Sequence, residues 1–362
     1  MFDNLLAALK ISGKKGPVIG VDIGTVSIKA AEISPRGGKP TLTNYGMIEV
    51  GGYLERANSV IQTSSLRMDE GETIKILKEV MSRMGTKTRE AVAVVPSFAS
   101  FISLIDLPVM STQELEQAIP YQAKSLIPLP MSEVAIDWTI VGNYEDEKGA
   151  QKQQVLLISI PNDQLATYQT VFKKAGLRLR MIEIEGLSLA RSVSHGETGE
   201  VMILDIGGFT STIAIASGGS LRAVGQTDFA GNALTQALVK GLGINPRRAE
   251  SLKRQRGLSG MAGEYGLSTL MLPFVDVILS EARRAKEIFE AKHKKKIGKV
   301  LLSGGGGDLI GLSAYVSKQL GIPAERGNPF REISYSPEAA PLAASIASRF
   351  AVAIGAGVKN YF

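Results

Sequence analysis

The chain contains no cysteine in 362 residues. That excludes disulfides and thiolate metal sites, and it fits a reducing compartment. Histidine is almost as scarce: only His195 and His293 occur, too little for an imidazole-built zinc site or a Ser-His-Asp triad. Long apolar runs are missing as well. None reaches the roughly 20 residues that span a bilayer; the Ala-rich stretch 339–358 comes nearest, and Arg349 interrupts it. No secretory signal is expected, because Asp3 and Asn4 come early and no small-residue cleavage site follows an apolar core. The charge balance, 41 basic against 35 acidic residues, leaves a formal net charge of only +6. The run from Lys292 to Lys299 therefore reads as a solvated helix end or a small basic patch, and no nucleic-acid partner is expected.

What is present is the composition of an ordinary globular protein, 44% hydrophobic and 21% charged, long enough for two domain-sized halves. An internal repeat supports two halves. Residues 18–33 read VIGVDIGTVSIKAAEI, and residues 201–216 read VMILDIGGFTSTIAIA. Each begins with the apolar run of a buried strand, turns at Asp-Ile-Gly, and continues through small residues into a second apolar run. A duplicated domain with a site between its halves is the simplest reading. A third element, VLLSGGGGDLIGL at 300–312, runs from an apolar strand through four glycines into a helix. Such glycines allow close backbone approach, and the helix start offers oriented N–H donors.

Residues 88–160 differ in character and read as an inserted subdomain of strands and one helix. Its polar stretch YEDEKGAQKQ is expected at a hairpin tip. Helices are expected near 162–175, 231–242, 270–292 and 337–354, the first capped by Asn162 and stopped at Gly176.

Two Asp-Ile-Gly turns facing one another suggest phosphate chemistry. Small-residue turns expose N–H groups that wrap phosphate oxygens. Carboxylates repel phosphate directly, but they hold a magnesium ion through its water, and the metal bridges to the anion. Asp22 and Asp205 are therefore the candidate magnesium pair. Gly24, Thr25, Val26 and Ser27 would line one side, and Gly207, Gly208, Phe209 and Thr210 the other. Lys29 lies either near the phosphates or on a solvent-facing strand. The chain has neither the GxxxxGK[ST] loop nor GxGxxG.

These three elements resemble the two phosphate motifs and the adenosine motif of the actin, sugar kinase and heat-shock chaperone superfamily. The resemblance implies an α/β, actin-like ATPase fold: two duplicated αβ domains around a nucleotide cleft. By that likeness IEIEGLSLARSV at 182–193 is a connecting helix, with Glu185 where several relatives position the attacking water. AVAIGAGV at 351–358 is the closing helix. Gly231, Gly304, Gly305, Gly306, Leu309, Glu281 and Arg284 are implied nucleotide contacts. The domains are then expected at 16–87 with 161–199 (closed by 337–362), 88–160 for the insert, and 200–336, after a tail at 1–15.

The insert narrows the likeness to the FtsA-like branch. AVVPS, Leu107-Pro108, Glu114-Leu115, IPLP before EVAIDW, AGNALTQAL at 230–238 and NPF at 328–330 resemble the PilM family of type IV pilus assembly proteins. The family's Ile-Pro-Phe is Ile127-Pro128-Leu129 here. Membership implies a cytoplasmic ATP- and magnesium-binding scaffold at the inner membrane, acting in twitching motility. Its implied partner is the cytoplasmic N-terminal tail of PilN, linked onward to pilus motor ATPases, with homo-oligomers possible in principle. Ile119, Tyr121, Leu126 and Trp138 could line the tail groove, although each taken singly reads rather as core. Two alternatives stand beside this. An FtsA-like division ATPase is expected to end in an amphipathic helix, for which Lys359-Asn360-Tyr361-Phe362 leaves no room; a short amphipathic stretch (Phe2, Leu5, Leu6, Leu9) lies instead at the N-terminus. A metabolite kinase needs a base beside its acceptor, and the insert shows no cluster of polar sugar-binding residues.

Overall fold

The computed structural model describes residues 16–50, 69–258, 265–337 and 340–361; the amphipathic N-terminal stretch lies outside them. Strands β1 (Val18–Ile23), β2 (Ser27–Arg36) and β3 (Lys39–Glu49) are followed by α1 (Glu70–Met84) and β4 (Glu90–Val95). The insert supplies β5 (Phe101–Pro108), α2 (Thr112–Leu126), β6 (Val134–Glu145) and β7 (Gln151–Pro161). Then come α3 (Asn162–Lys174), β8 (Arg178–Ile184) and α4 (Glu185–Val193). The second half holds β9 (Glu200–Ile206), β10 (Ser211–Ser217), β11 (Ser220–Thr227), α5 (Gly231–Leu242), α6 (Pro246–Arg256) and α7 (Tyr265–His293). It continues with β12 (Ile297–Ser303), a helical turn at Gly304–Gly307, α8 (Leu312–Leu320), β13 (Ala324–Arg326), β14 (Ser334–Tyr335) and α9 (Ala340–Gly357).

The duplication is visible in the sheets. The first runs β14-β3-β2-β1-β4-β8 and the second β11-β10-β9-β12-β13. Apart from the added edge strand β14, both place two antiparallel hairpin strands beside a central strand and two parallel strands beyond it. The central strands β1 and β9 are buried nearly throughout, which is why both read as unbroken apolar runs. Local signals set the helix limits. Asp69 accepts from Glu72 N–H at the start of α1, and Gly85, at φ 60, ends it.

Three expectations shift. The stretch AVAVV does not belong to the insert: as β4 it pairs in parallel with β1 and β8, so it completes the first sheet. The insert's own sheet is β5-β7-β6. Asn162 does not cap α3. It is the first helical residue, and its Nδ2 donates to the Ser132 carbonyl at 3.0 Å instead. The long helix α7 starts at Tyr265, earlier than expected. Other readings hold: the hairpin tip falls between β6 and β7, and Gly176, at φ 79, closes α3.

In the insert, α2 covers one face of the sheet through Leu115, Ile119 and Ala123, packed with Ile105, Leu107, Val155 and Leu157. Ile119 is thus a core residue and not part of a groove. The opposite face, with Leu156, Ile158 and Ile160, joins the core of the first lobe. Four of the five lysines in the run are paired: Lys292 with Asp106, Lys295 with Glu200, Lys296 with Glu290, and Lys299 with Glu197 and Glu325.

Helices α4 and α9 pack against each other between the two sheets. Small residues let them approach closely. A Cβ on Gly355 would run into the Ser188 carbonyl oxygen. The same junction holds a buried ion cluster. Glu183 accepts from Arg191 at 2.8 and 3.0 Å, from Lys359 at 2.9 Å and from the Ser188 hydroxyl. Arg191 also donates to the Gly355 carbonyl at 2.6 Å. Burial works against the Glu183 carboxylate, but Arg191 and Lys359 outweigh it and hold its pKa down at about 2.

Two predictions follow from this junction. Gly355→Ala should cost about 2 kcal/mol or more in urea denaturation, overpacking outweighing the helix-propensity gain of about 1 kcal/mol. Gly225→Ala, where the added Cβ meets nothing, should stay within about 1 kcal/mol. Because the Glu183 pKa is depressed, its stabilisation is complete above the unfolded value near 4.5 and fades as pH falls toward 2. The stability gap between wild type and Glu183→Gln should therefore be widest above pH 5 and narrow between about pH 5 and 3. A gap that stays constant over that range would refute the assignment.

Candidate functional site

The two Asp-Ile-Gly turns adopt the same geometry. Gly24 N–H donates to the Ser27 carbonyl at 3.0 Å, and Gly207 N–H to the Thr210 carbonyl at 3.0 Å. Each closes a tight connection between the central strand and its antiparallel neighbour, so each leaves its aspartate at the strand end. The turns face each other directly, since a Cβ on Gly208 would overlap Val26. Between the lobes lies a cavity of about 440 Å³.

Most of the expected residues line it: Asp22, Gly24, Thr25, Val26, Ser27, Lys29, Glu185, Asp205, Gly207, Gly208, Thr210, Gly231, Gly304, Gly305, Gly306 and Leu309. Three do not. Phe209 is buried without lining the cavity, while Glu281 and Arg284 lie exposed on α7, away from it. The glycine turn sits where it does because Gly304 takes φ +76 against the Ile206 carbonyl, close to Asp205. Ser303, just before it, donates its hydroxyl to the Ser348 carbonyl at 3.1 Å.

The electrostatics are concentrated. Lys29 is no solvent-facing strand residue: its Nζ donates to Asp22 Oδ2 at 2.7 Å. Burial opposes the ammonium, but Asp22, Asp205 and Glu185 outweigh it and raise its pKa. Glu185, at the first position of α4, accepts from the Thr212 hydroxyl at 2.7 Å. Burial, then the charges of Asp205 and Asp22, push its carboxyl up to about 8. Burial raises Asp205 to about 6 despite the neighbouring Ser303 hydroxyl and Lys29. The cleft thus holds acidic groups short of countercharge.

That donor set fits one kind of metal binding. Among the described residues, no three His, Asp or Glu side chains stand close enough to ligate an ion directly. Asp22 and Asp205 on opposite turns are placed for a hydrated cation held through its water.

Sequence reasoning missed the far wall of the cavity, which carries Glu250, Lys253 and Arg254 of α6. Lys253 Nζ donates to the Gly231 carbonyl at 2.8 Å and to the Thr235 hydroxyl at 2.9 Å, and it pairs with Glu250 at 2.6 Å. Burial lowers the Lys253 pKa in spite of Glu250. The signals were present: Asn245 caps α6, Pro246 opens it, and Glu250 and Lys253 share one face at i, i+3. Asp308, Arg326 and Arg349 line the cavity too, with both arginines beside the Asp308 carboxylate.

A carboxyl with a raised folded pKa destabilises the fold progressively between its unfolded and folded values, here from about 4.5 to about 8 for Glu185. Glu185→Gln should therefore match wild type in the ligand-free protein near pH 4. It should exceed wild-type stability by about 1 kcal/mol or more at pH 8, read as a rise in Tm. Equal Tm values at pH 8 would contradict the buried-charge reading.

A model of the family described as type IV pilus assembly protein PilM matches residues 20–361. Cell division protein FtsA of Escherichia coli (strain K12) is 26% identical over 258 residues, covering 66% of this chain and 60% of FtsA. FtsA of Shigella flexneri matches equally, at 26% over 258 residues and 58% of its length. The chain thus spans about 60% of the length of these curated relatives. A solved PilM-PilN type IV pilus biogenesis complex superposes with a TM-score of 0.78 at 21% identity, covering 96% of this chain and 100% of the other. The ethanolamine utilization protein EutJ from Carboxydothermus hydrogenoformans gives 0.52 at 18% identity, covering 98% and 95%. MreB 5 of Spiroplasma citri bound to AMPPNP gives 0.50 at 15% identity, covering 95% of each chain. At these identities the structures establish the fold, which is that of the actin-like ATPases. The family model covers nearly the whole length, and the chain belongs to the type IV pilus assembly protein PilM family.

Proposed function

We propose that this protein is a cytoplasmic scaffold of the type IV pilus inner-membrane complex that holds ATP and magnesium between its lobes. The observation that carries the nucleotide reading is the pair of like-shaped Asp-Ile-Gly turns facing one cavity, with Lys29 between them. In this reading the turn residues Gly24 to Ser27 and Gly207 to Thr210 surround the phosphates, with Phe209 supporting its turn from within the core. Lys29 neutralises phosphate charge, and Asp22 and Asp205 hold the magnesium ion through water. The ion would supply the positive charge that the acidic cleft lacks. Gly231, the glycines 304–306 and Leu309 line the remainder, joined by Glu250, Lys253 and Arg254.

Turnover is slow at most in this proposal. Glu185 is the candidate for positioning water, yet in the ligand-free cleft it keeps its proton at neutral pH. A protonated carboxyl is a poor base. Among the described residues, the insert carries an apolar core rather than an acceptor-binding cluster, which argues against a metabolite kinase.

The partner in this proposal is the cytoplasmic N-terminal tail of a PilN-like inner-membrane protein, linked through it to pilus motor ATPases and to twitching motility. Support comes from the family and from a fold neighbour solved as a PilM-PilN complex. Tyr121, 80% exposed, and Leu126, 44% exposed, offer apolar contact on α2, with the half-buried Trp138 nearby in the insert. Among the described residues no helix is long and apolar enough to cross a membrane, so attachment in this reading runs through the partner. The similarity to FtsA keeps a filament-forming division ATPase as the second reading. A tail that binds without polymerisation of the protein favours the scaffold.

ATP with magnesium should raise the Tm by several degrees, since a ligand at about 100 times its Kd adds about 2.7 kcal/mol. Asp22→Asn and Asp205→Asn should each weaken magnesium-dependent ATP binding at least about tenfold without lowering ligand-free stability to match. Wild-type affinity in both variants would remove the shared magnesium site.

A further inference from the structure

A second cluster of charged and aromatic side chains lies outside the cleft, where the free side of the insert meets the second lobe. Asp106 on β5 accepts from Lys292 Nζ, near the end of α7, at 2.6 Å. Gln154 on β7 holds the other carboxylate oxygen at 3.3 Å. The same ammonium stands 5.2 Å from the ring centroid of Tyr144 on β6. His293 meets that ring edge-on at 5.3 Å and leans on Phe289 at 4.5 Å. Elsewhere on β6, the Val141 carbonyl accepts from Arg222 of β11, the edge strand of the second sheet.

By chain connection the insert belongs to the first lobe: it leaves after β4 and returns through β7 into α3. These contacts attach its other side to the second lobe. The helix α7 that carries Lys292 and His293 is 29 residues long and also packs on α5, which begins at the cavity residue Gly231. Two packed helices, α5 and α7, therefore connect the cavity wall to the cluster.

We infer that the insert is a brace across the two lobes, and that Asp106, Lys292, Tyr144 and His293 are positioning residues that fix the inter-lobe angle and with it the width of the cleft. An ion pair whose partners are 29% and 35% exposed is weak alone. It gains here from the cation–π contact, the ring contact and the Arg222 hydrogen bond, all crossing the same boundary. The effect on nucleotide binding rests on the proposed function; the effect on the lobe angle does not.

The test uses charge exchange in the full chain. Because the chain has no cysteine, Lys78→Cys on α1 and Lys318→Cys on α8 place one spin label on each lobe without background. In the ligand-free protein, Asp106→Lys and Lys292→Asp should each lengthen or broaden the measured inter-lobe distance. Each should also weaken binding of a fluorescent ATP analogue by about threefold to tenfold, the range of coupling mutations. The double variant, with the pair restored in reversed sign, should recover both, and Tyr144→Ala should shift them in the same direction as the single variants. Unchanged distances in the single variants would overturn the brace, as would a double variant no better than either. Changed distances with wild-type affinity would overturn its link to the cleft. Should the wild type bind no nucleotide, the proposed function fails, and the distances alone still decide whether the insert braces the lobes.

Discussion

Asp22, Asp205 and Glu185 are confined to one buried space, and Lys29 faces all three. Such an arrangement does not arise from packing, which favours pairing or removing buried charge. Here one ammonium is shared among three carboxyl groups. Burial then pushes two of them upward, Glu185 to about 8 and Asp205 to about 6. The cleft is stable enough to exist because the rest of the molecule supplies rigid strands on both sides, and it is unsatisfied enough to favour a cation-bearing ligand. Strain of this kind marks a functional site when the surrounding fold over-determines it.

The surroundings do so by repetition. Both aspartates stand at the end of a buried central strand, and both are followed by a turn with the same Gly N–H to carbonyl bond. That is why this part of the site was legible in the sequence. Turn chemistry is local, and a repeated Asp-Ile-Gly after an apolar run reports geometry without a need for distant contacts. The far wall was not legible in the same way. Glu250, Lys253 and Arg254 sit on a helix so polar that its composition suggests a solvent-exposed element, and only the fold turns one face toward the cavity. Glu281 and Arg284, expected as contacts, do not line the cavity. Their spacing is compatible with either face of α7, and tertiary packing turned them outward.

The insert shows the same divide. Its helix, hairpin tip and strands follow from local patterns, and Ser111 with Glu114 even forms a reciprocal capping box. Its boundary does not follow. AVAVV is an apolar strand wherever it is placed, and only parallel pairing with β1 and β8, far apart in sequence, assigns it to the first sheet. The lysines near residue 295 are a further case. Read locally they are a basic patch; in the fold they are matched with carboxylates from other elements.

Two of the junctions between the lobes differ in their physics. At α4 and α9, small residues bring backbones into contact around the buried Glu183 cluster, and close-packed backbone leaves little room for sliding. At the insert, the contacts are partly exposed side chains, which yield at low energy. A stiff junction beside a soft one defines an axis. The crossing of α4 and α9 centres any rotation of the lobes, and the contacts of β5 and β6 with α7 and β11 set its resting angle. Glu185 begins α4, so the stiff junction carries a cavity residue directly. The soft junction reaches the cavity only through α7 and α5. A ligand that draws the two Asp-Ile-Gly turns together would therefore move the insert more than it moves the hinge, and the insert is the element that carries the exposed Tyr121 and Leu126.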